Sequence, residues 1–446
     1  MSSVETVAED ILNYAKKQGA DHADIMINSS ETLSGSCRLK KRESIERSEN
    51  IDVGLRVFIG KKQAMVSSSD DRIDTLKNLT DQAIAMAKAV PDDPYCGLAD
   101  NPLLFSKMSP EGLDLYDDTT LEIEALLKDA EEAEDAARSI EGVTNSEGAD
   151  VSATKSFKFY ATTAGFSGQS RSSSHSLSAS VIAGEGQKMQ RDYDYAVSRH
   201  LSARKSASDI GKIAGQRAVK RLNPQKVKTQ NVPIVYAPRV SRSLLSHLSS
   251  AISGSAIARG TSMLKDKMGQ QIFPRHITVY DDPFLAQGLA SKAFDGEGIL
   301  PQKRSIIENG ILTGWILDLR SARQLGMDPT GNAQRSASSS PSPGTHNFYM
   351  KPGDLSVEDL IKDIKDGFYV TEMMGSSVSL LTGDYSRGAA GFWIENGEIT
   401  YPVSEVTIAG NLNDMWMNMT PANDLKHEFA TNAPTLRIDK MTVAGD

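Results

Sequence analysis

Seven histidines are the first residues to test for metal chemistry: His22, His175, His200, His247, His276, His346 and His427. A zinc site needs several imidazole, thiolate or carboxylate donors converging on one point. None of these histidines lies within five residues of another, so HxH, HxxxH and HExxH are all absent. His427-Glu428 opens like a zinc-protease motif, but Thr431 and Asn432 stand where its second histidine belongs. His247 has Ala251 and Ile252 ahead of it at helical spacing, and Ser243 and Arg242 behind. None is a zinc ligand, so the expectation is a histidine bordering a packed helix.

Nucleophiles fare little better. There is no G-x-S-x-G elbow. S-x-x-K occurs from Ser152, Ser202 and Ser262, as chance allows in so serine-rich a chain, and only Ser262 falls at an expected helix exit. Cys37 keeps basic company in Arg38, Lys40 and Lys41, which could lower a thiol pKa, although a half-buried strand position is the plainer expectation. Neither a Walker A loop nor G-x-G-x-x-G is present. The densest polar cluster is "VTEMMGSSVSLLTGDYSRGAAGFWIENG", residues 370–397, with Glu372, Asp384, Tyr385 and Arg387 among small residues. One reading is a tight β corner in which Asp384 and Arg387 form a local ion pair. The other is a groove where an extended peptide lies close to protein backbone. On that second reading Glu372, Asp384 and Arg387 are the candidate substrate-binding residues.

The elements that must position these residues are legible from periodicity. A first helix runs from about Val4 to Lys17, with Gly19 as its stop. "ADIMINSS", "SGSCRLKK", "ESIERSEN", "IDVGLRVFIG" and "KQAMVSSS" read as strands of an antiparallel meander, and Asp71 to Val90 as a helix with Ile73, Leu76, Leu79, Ala83, Met86 and Val90 inward. The plan then repeats. Thr119-x-x-Glu122 reads as a capping box for an acidic helix to about Ile140. Ser/Thr-alternating strands follow, and Ala207 to Leu222 is a closing helix. The polar stretch "NPQKVKTQ", residues 223–230, marks the major boundary. Beyond it, "SLLSHLSSAISGSAIARGTSM", residues 243–263, reads as a helix with an apolar back and a serine front. Asn309-Gly310 and Asn396-Gly397 each offer the positive φ angles of a two-residue hairpin turn. Ser356 caps a short helix. The fold class is therefore α+β: an N-terminal half of helices and antiparallel strands in two similar units, 1–110 and 111–225, and a mostly β C-terminal domain, 226–446.

Composition narrows the function classes. The chain has 446 residues, a net charge of −9, and two cysteines that form no disulfide framework. A duplex nucleic acid or anionic membrane would meet net repulsion, and no apolar run reaches the length of a membrane span. The charged N-terminal helix is no signal peptide, and a cytoplasmic protein is the expectation.

"GDYSRGAAGFWIENGEITYPVSEVTIAGNL", "FDGEGI", "IARGTSM" and "APTLRIDKMTVAGD" together resemble the PmbA/TldD family, formerly called modulators of DNA gyrase. The resemblance runs nearly end to end. It implies two branches. TldD carries HExxxH on a helix just before a "GTS" segment, and a late cysteine. TldE, also called PmbA, lacks both and pairs with TldD in a heterodimeric metalloprotease that degrades unfolded peptides. In this chain the HExxxH positions fall on Leu245, Ser246 and Ser250, or one residue on, on Ser246, His247 and Ala251. Neither register supplies the donors, and no cysteine follows Cys96. The chain therefore resembles the TldE branch. The implied function is a zinc-free subunit with no catalytic or metal-binding residue of its own, zinc residing in a TldD-like partner. Unfolded peptide would add as a strand to an edge of the C-terminal sheet. A homodimer in isolation is compatible with this. The alternatives are a stand-alone binding or regulatory protein of the gyrase-modulator type, and an independent Ser/Lys hydrolase using Ser262.

Overall fold

The computed structural model describes residues 4–100, 112–120 and 122–445. The expected boundary at 110/111 lies outside the described residues. The first unit is α1 (Val4–Lys17), β1 (His22–Arg38), β2 (Lys41–Ile59), β3 (Lys62–Ser68) and α2 (Ile73–Ala89). The second is α3 (Ile123–Arg138), β4 (Val143–Thr162), β5 (Ser167–Ala183), β6 (Gln190–Ser198) and α4 (Ala207–Lys220). The repeated plan is present, but the two sets of strands join edge to edge. They form one six-stranded antiparallel sheet in the order β3-β2-β1-β4-β5-β6.

Four of the five short segments read from the first meander are halves of two long strands. β1 and β2 stay in register almost throughout and turn at Leu39 and Lys40, whose φ angles are 49° and 64°. That is a two-residue hairpin turn without the usual Asn or Gly. The orphaned N–H groups of Leu39 and Lys40 are taken by the Glu134 carboxylate of α3, at 2.7 and 3.1 Å. A tertiary contact thus pins a turn that local sequence does not announce. The capping box also differs from expectation. Glu122 is the N-cap of α3 and makes no side-chain bond there, while the Thr119 N–H is held by Asp117. In α2, Met86 faces solvent rather than the core.

Strand alternation gives the sheet two distinct faces. Odd-numbered residues such as Ile25, Ile27, Val53, Leu55 and Phe159 pack under α1 and α2, and Val151, Leu177, Ala179 and Val181 pack under α3 and α4. Even-numbered residues form the opposite face, paved with small hydroxyls. Thr32 meets Thr154 at 3.0 Å, and Ser152 meets Ser176 at 2.8 Å. The C-terminal half docks against this second face. Gly54 marks how tightly: a Cβ there would lie 1.9 Å from the Ala337 carbonyl oxygen.

The C-terminal half comprises β7 (Gln230–Tyr236), α5 (Pro238–Ala251), α6 (Gly254–Ala258), β8 (Val279–Asp282), β9 (Arg304–Glu308), β10 (Ile311–Leu312), α7 (Leu319–Leu325), β11 (Ala333–Gln334), β12 (Ser342–Pro343) and β13 (Asn347–Met350). It continues through α8 (Val357–Ile361), β14 (Asp366–Val378), β15 (Asp384–Glu395), β16 (Glu398–Asn411), α9 (Leu412–Met417), β17 (Met419–Pro421), β18 (Thr431–Asn432) and β19 (Leu436–Ala444). One sheet runs β16-β15-β14-β7-β19-β17, and β16 also pairs with the far end of β19, which closes the sheet on itself. A five-stranded sheet, β10-β9-β8-β13-β18, packs beside it. Asn309 and Asn396 have φ near 50°, and both hairpins form as expected. Among the described residues no helix is long and apolar enough to cross a membrane.

Candidate functional site

α5 starts at Pro238, whose missing N–H costs nothing in a first helical turn. Val240, Leu244, Leu245, Leu248 and Ala251 enter the C-terminal core. The single helix expected over 243–263 is in fact two. Gly254 sits so close to the 316–321 segment that a Cβ would be 2.5 Å from Leu317, and its N–H binds the Ile316 carbonyl at 2.8 Å. That contact turns the chain between α5 and α6.

The donor set on α5 does not fit a zinc ion. Leu245 is buried in the core. Ser246 and Ser250 turn their hydroxyls back onto the helix, donating to the Arg242 and Ser246 carbonyls at 3.2 and 3.0 Å. His247 packs edge-on to Tyr385, with ring centroids 6.0 Å apart, and its buried Nε2 has no hydrogen-bond partner among the described residues. Burial, then the nearby Arg387 guanidinium, push its pKa down. The neutral imidazole could donate one lone pair, but a fixed cation beside it opposes a second. Among the described residues no group of three or more His, Cys, Asp or Glu is placed to hold a metal ion.

The three candidate substrate-binding residues are not brought together. Asp384 and Arg387 are three residues apart on β15, so strand alternation sends them to opposite faces and the expected ion pair does not form. Asp384 is exposed and accepts from the Thr382 hydroxyl at 2.7 Å. Arg387 lies with Tyr385 on the α5 side, its Nε buried without a partner among the described residues. Glu372 on β14 is ion-paired to Arg221, just past the end of α4. Ser262 is no nucleophile: it is buried and donates to the Ala251 carbonyl at 2.6 Å, while Lys265 is exposed. The Cys37 thiol is pushed up to about 12, by burial and then by Glu134, so its basic sequence neighbours do not activate it.

What the structure assembles instead is a groove between the two halves. Its first part, about 530 Å³, lies between β6, α4 and the start of α5. Asp192 and Asp194 of β6 are buried and ion-paired: Asp192 with Arg239 at 2.7 Å and with Arg221, Asp194 with Arg217 at 2.7 Å and Lys205 at 2.9 Å. Tyr193 and Tyr195 stack, Phe429 tilts against Tyr195, and Arg239 and Arg242 lie over Tyr193 and Phe429 at 4.5 and 4.2 Å. A second part, about 370 Å³, shares Tyr195, Lys205 and Phe429 and continues along β6. The alternation in "QRDYDYAV" is the signal that was available for these residues. It read only as a half-buried strand, because the groove's other wall lies more than forty residues further along the chain.

Two edges bear on peptide docking. Pairing of β16 with β19, and the bridge from Gln225 to Val403, cover much of the outer edge of β16, whereas β14 pairs with β7 over Phe368–Val370 and beyond that, among the described residues, with β15 alone. Among the described residues β6 pairs on one side, with β5. The Tyr193 carbonyl points away from β5 and accepts from Arg217 at 3.2 Å. By two-residue periodicity the N–H and C=O of Tyr195 and Val197 point the same way, into the groove.

Buried charge also joins the halves. Asp24 lies beneath Arg56, at 2.6 Å, and Arg335 of the C-terminal half, at 2.8 Å, with all three side chains under a tenth exposed. Burial disfavours the carboxylate, but Arg335 and Arg56 outweigh it and hold Asp24 below the usual carboxylate range. Nearby, burial and then Asp295 push Glu297 up to about 8.

Comparison with known proteins agrees with this architecture. Residues 23–87, 116–222 and 229–445 match the PmbA/TldA metallopeptidase domain 1, central domain and C-terminal domain, respectively. The "Metalloprotease PmbA homolog" of Haemophilus influenzae is 37% identical over 440 residues, covering 98% of this chain and 94% of that protein. A crystal structure of a candidate modulator of DNA gyrase from Bacteroides thetaiotaomicron superposes with a TM-score of 0.92 at 27% identity, covering 100% of both chains. TldE from Thermococcus kodakarensis shares the fold, with a TM-score of 0.88 at 22% identity, over 98% of this chain and 100% of that one.

Proposed function

Because this chain belongs to the PmbA/TldD metallopeptidase family, we propose that it is the zinc-free, TldE-like subunit of a two-chain protease acting on unfolded peptides. A TldD-like partner supplies the zinc. The observation that carries this reading is the donor set of α5: two hydroxyls tied back to their own helix, and one histidine beside the Arg387 cation. The relatives are named metalloproteases, yet this helix has nothing to hold the metal with. The groove along β6 is the part of this chain that touches substrate. An extended peptide adds its main chain to Tyr195 and Val197, a contact blind to side-chain identity and closed to folded proteins. Tyr193, Tyr195 and Phe429 give apolar contact to whatever side chains pass. Glu372 acts at one remove, by holding Arg221 against Asp192 at the groove wall.

The experiment is a metal analysis of the purified chain with peptide cleavage assays, run alone and with a TldD-like paralogue. The expected result is no stoichiometric zinc, no cleavage alone, and chelator-sensitive cleavage by the pair. Stoichiometric zinc, or chelator-sensitive cleavage by this chain alone, refutes the subunit role. Light scattering after gel filtration reports whether the isolated chain is a homodimer.

A further inference from the structure

A separate cavity of about 750 Å³ lies further along the interface, on the hydroxyl-paved face of the N-terminal sheet. Asp52, Asn28, Lys158 and Ser170 form one in-register row across β2, β1, β4 and β5, so their side chains share that face. Lys158 is half-buried, and among the described residues it has neither a hydrogen-bond acceptor nor a carboxylate partner; the charge it feels is Arg335, another cation. From the C-terminal half comes Lys292, whose ammonium, among the described residues, bonds to the Gln334 amide oxygen alone, at 3.1 Å. Burial, then Lys158, push Lys292 down to about 8, against the pull of Asp295 and of Asp281, whose carboxylate is itself hydrogen-bonded to Asn332 and His346. Arg199 spends two nitrogens on the Ser173 and Leu289 carbonyls, and its buried Nε has no partner among the described residues. The Asn28 side-chain oxygen is likewise buried and, among the described residues, unpartnered.

The anions that face this space do not balance it. Asp24 is shared between Arg56 and Arg335. Asp295 accepts from the backbone of Glu297, Ile299 and Ala333, and burial raises its pKa. Asp52 is at the exposed rim. Two amines drawn out of water next to each other, with no carboxylate between them, are destabilising unless an anion joins them.

We propose that this cavity binds a compact oxyanion, a carboxylate or a phosphate carried on a small organic molecule, clamped between Lys158 and Lys292. Each ammonium has three donors, and one bond to Gln334 accounts for only one of them. The volume is that of a small-molecule site rather than a lone ion. Met26 and Phe294 supply apolar wall for the rest of the ligand. The site requires nothing of the subunit role, because it is complete within one chain.

Titration calorimetry on the full-length chain tests it with inorganic phosphate, trialanine, and trialanine amide. Saturable binding of phosphate, trialanine or both is expected, with none for the amide. Binding of trialanine alone identifies a peptide carboxylate as the source, and binding of phosphate alone identifies a phosphate. Lys158→Met and Lys292→Met should each weaken binding about tenfold or more, the loss of a charge-assisted hydrogen bond. Without ligand, Lys158→Met should unfold at the same temperature as the parent chain or higher, since it removes repulsion. Silence from all three probes at millimolar concentration, equal binding of trialanine and its amide, or unchanged affinity in folded lysine variants overturns the site.

Discussion

Asp24→Asn is the sharpest test of how the halves are joined. The Asp24 carboxylate accepts from Arg56 Nε and Nη2 at 3.0 and 2.6 Å, and from the Tyr160 hydroxyl at 3.2 Å. Its other oxygen faces Arg335 Nη1 at 2.8 Å, at an angle that makes the attraction Coulombic rather than a directed hydrogen bond. Asparagine keeps the shape and removes the charge, so two buried guanidinium groups lose their counter-ion. Breaking a buried pair in this way costs about 3–5 kcal/mol. At about 2–4 °C per kcal/mol for domains of this size, the melting temperature should fall by at least about 6 °C. Differential scanning fluorimetry measures the shift. Limited proteolysis at the interface should show that the loss lies between the halves. Replacing all three groups with apolar ones (Asp24→Leu, Arg56→Met, Arg335→Met) should recover much of it, because the desolvation cost of the ions goes too. A fall smaller than about 2 °C for Asp24→Asn would mean that solvent reaches this triad, and the account of a dry, charge-locked interface would be wrong.

Arg387→Met should raise the His247 pKa but leave it below the ordinary histidine value, since burial is the larger cause and remains; an NMR titration that shows no movement removes Arg387 from this account. Glu297 ionises at 4.5 when unfolded and near 8 in the fold, so its contribution to stability is complete below 4.5 and is lost as pH rises through about 8. Glu297→Gln should therefore flatten the alkaline fall in melting temperature, and identical pH profiles for the two proteins would contradict the raised pKa. Val197→Pro deletes an N–H on the open side of β6 while leaving the ladder to β5 intact. It should weaken binding of an extended peptide by about 1 kcal/mol, roughly fivefold, without lowering the melting temperature, and calorimetry with unchanged affinity would exclude this edge.

Local rules carried far into this molecule. Asn309-Gly310 and Asn396-Gly397 announced their hairpins because few residue pairs accept two positive φ angles. The Ser356 hydroxyl caps α8 as its position implied, accepting from the Asp359 N–H at 3.0 Å. The family resemblance rested on motifs in order along the chain, and the comparisons agree with it.

Tertiary structure decided the rest, wherever distant segments meet. Leu39-Lys40 turns because Glu134, more than ninety residues away, satisfies its N–H groups. Asp384 and Arg387 looked like a pair because they are near in sequence, and strand alternation separates them. The serine alternation of β4 and β5 showed that one face was polar, but not that the C-terminal half would cover it. Lys158 and Lys292 are unremarkable in sequence. Only the docking of the two halves removes them from water and sets them against the same cavity, and desolvation there gives two ordinary surface residues a chemistry.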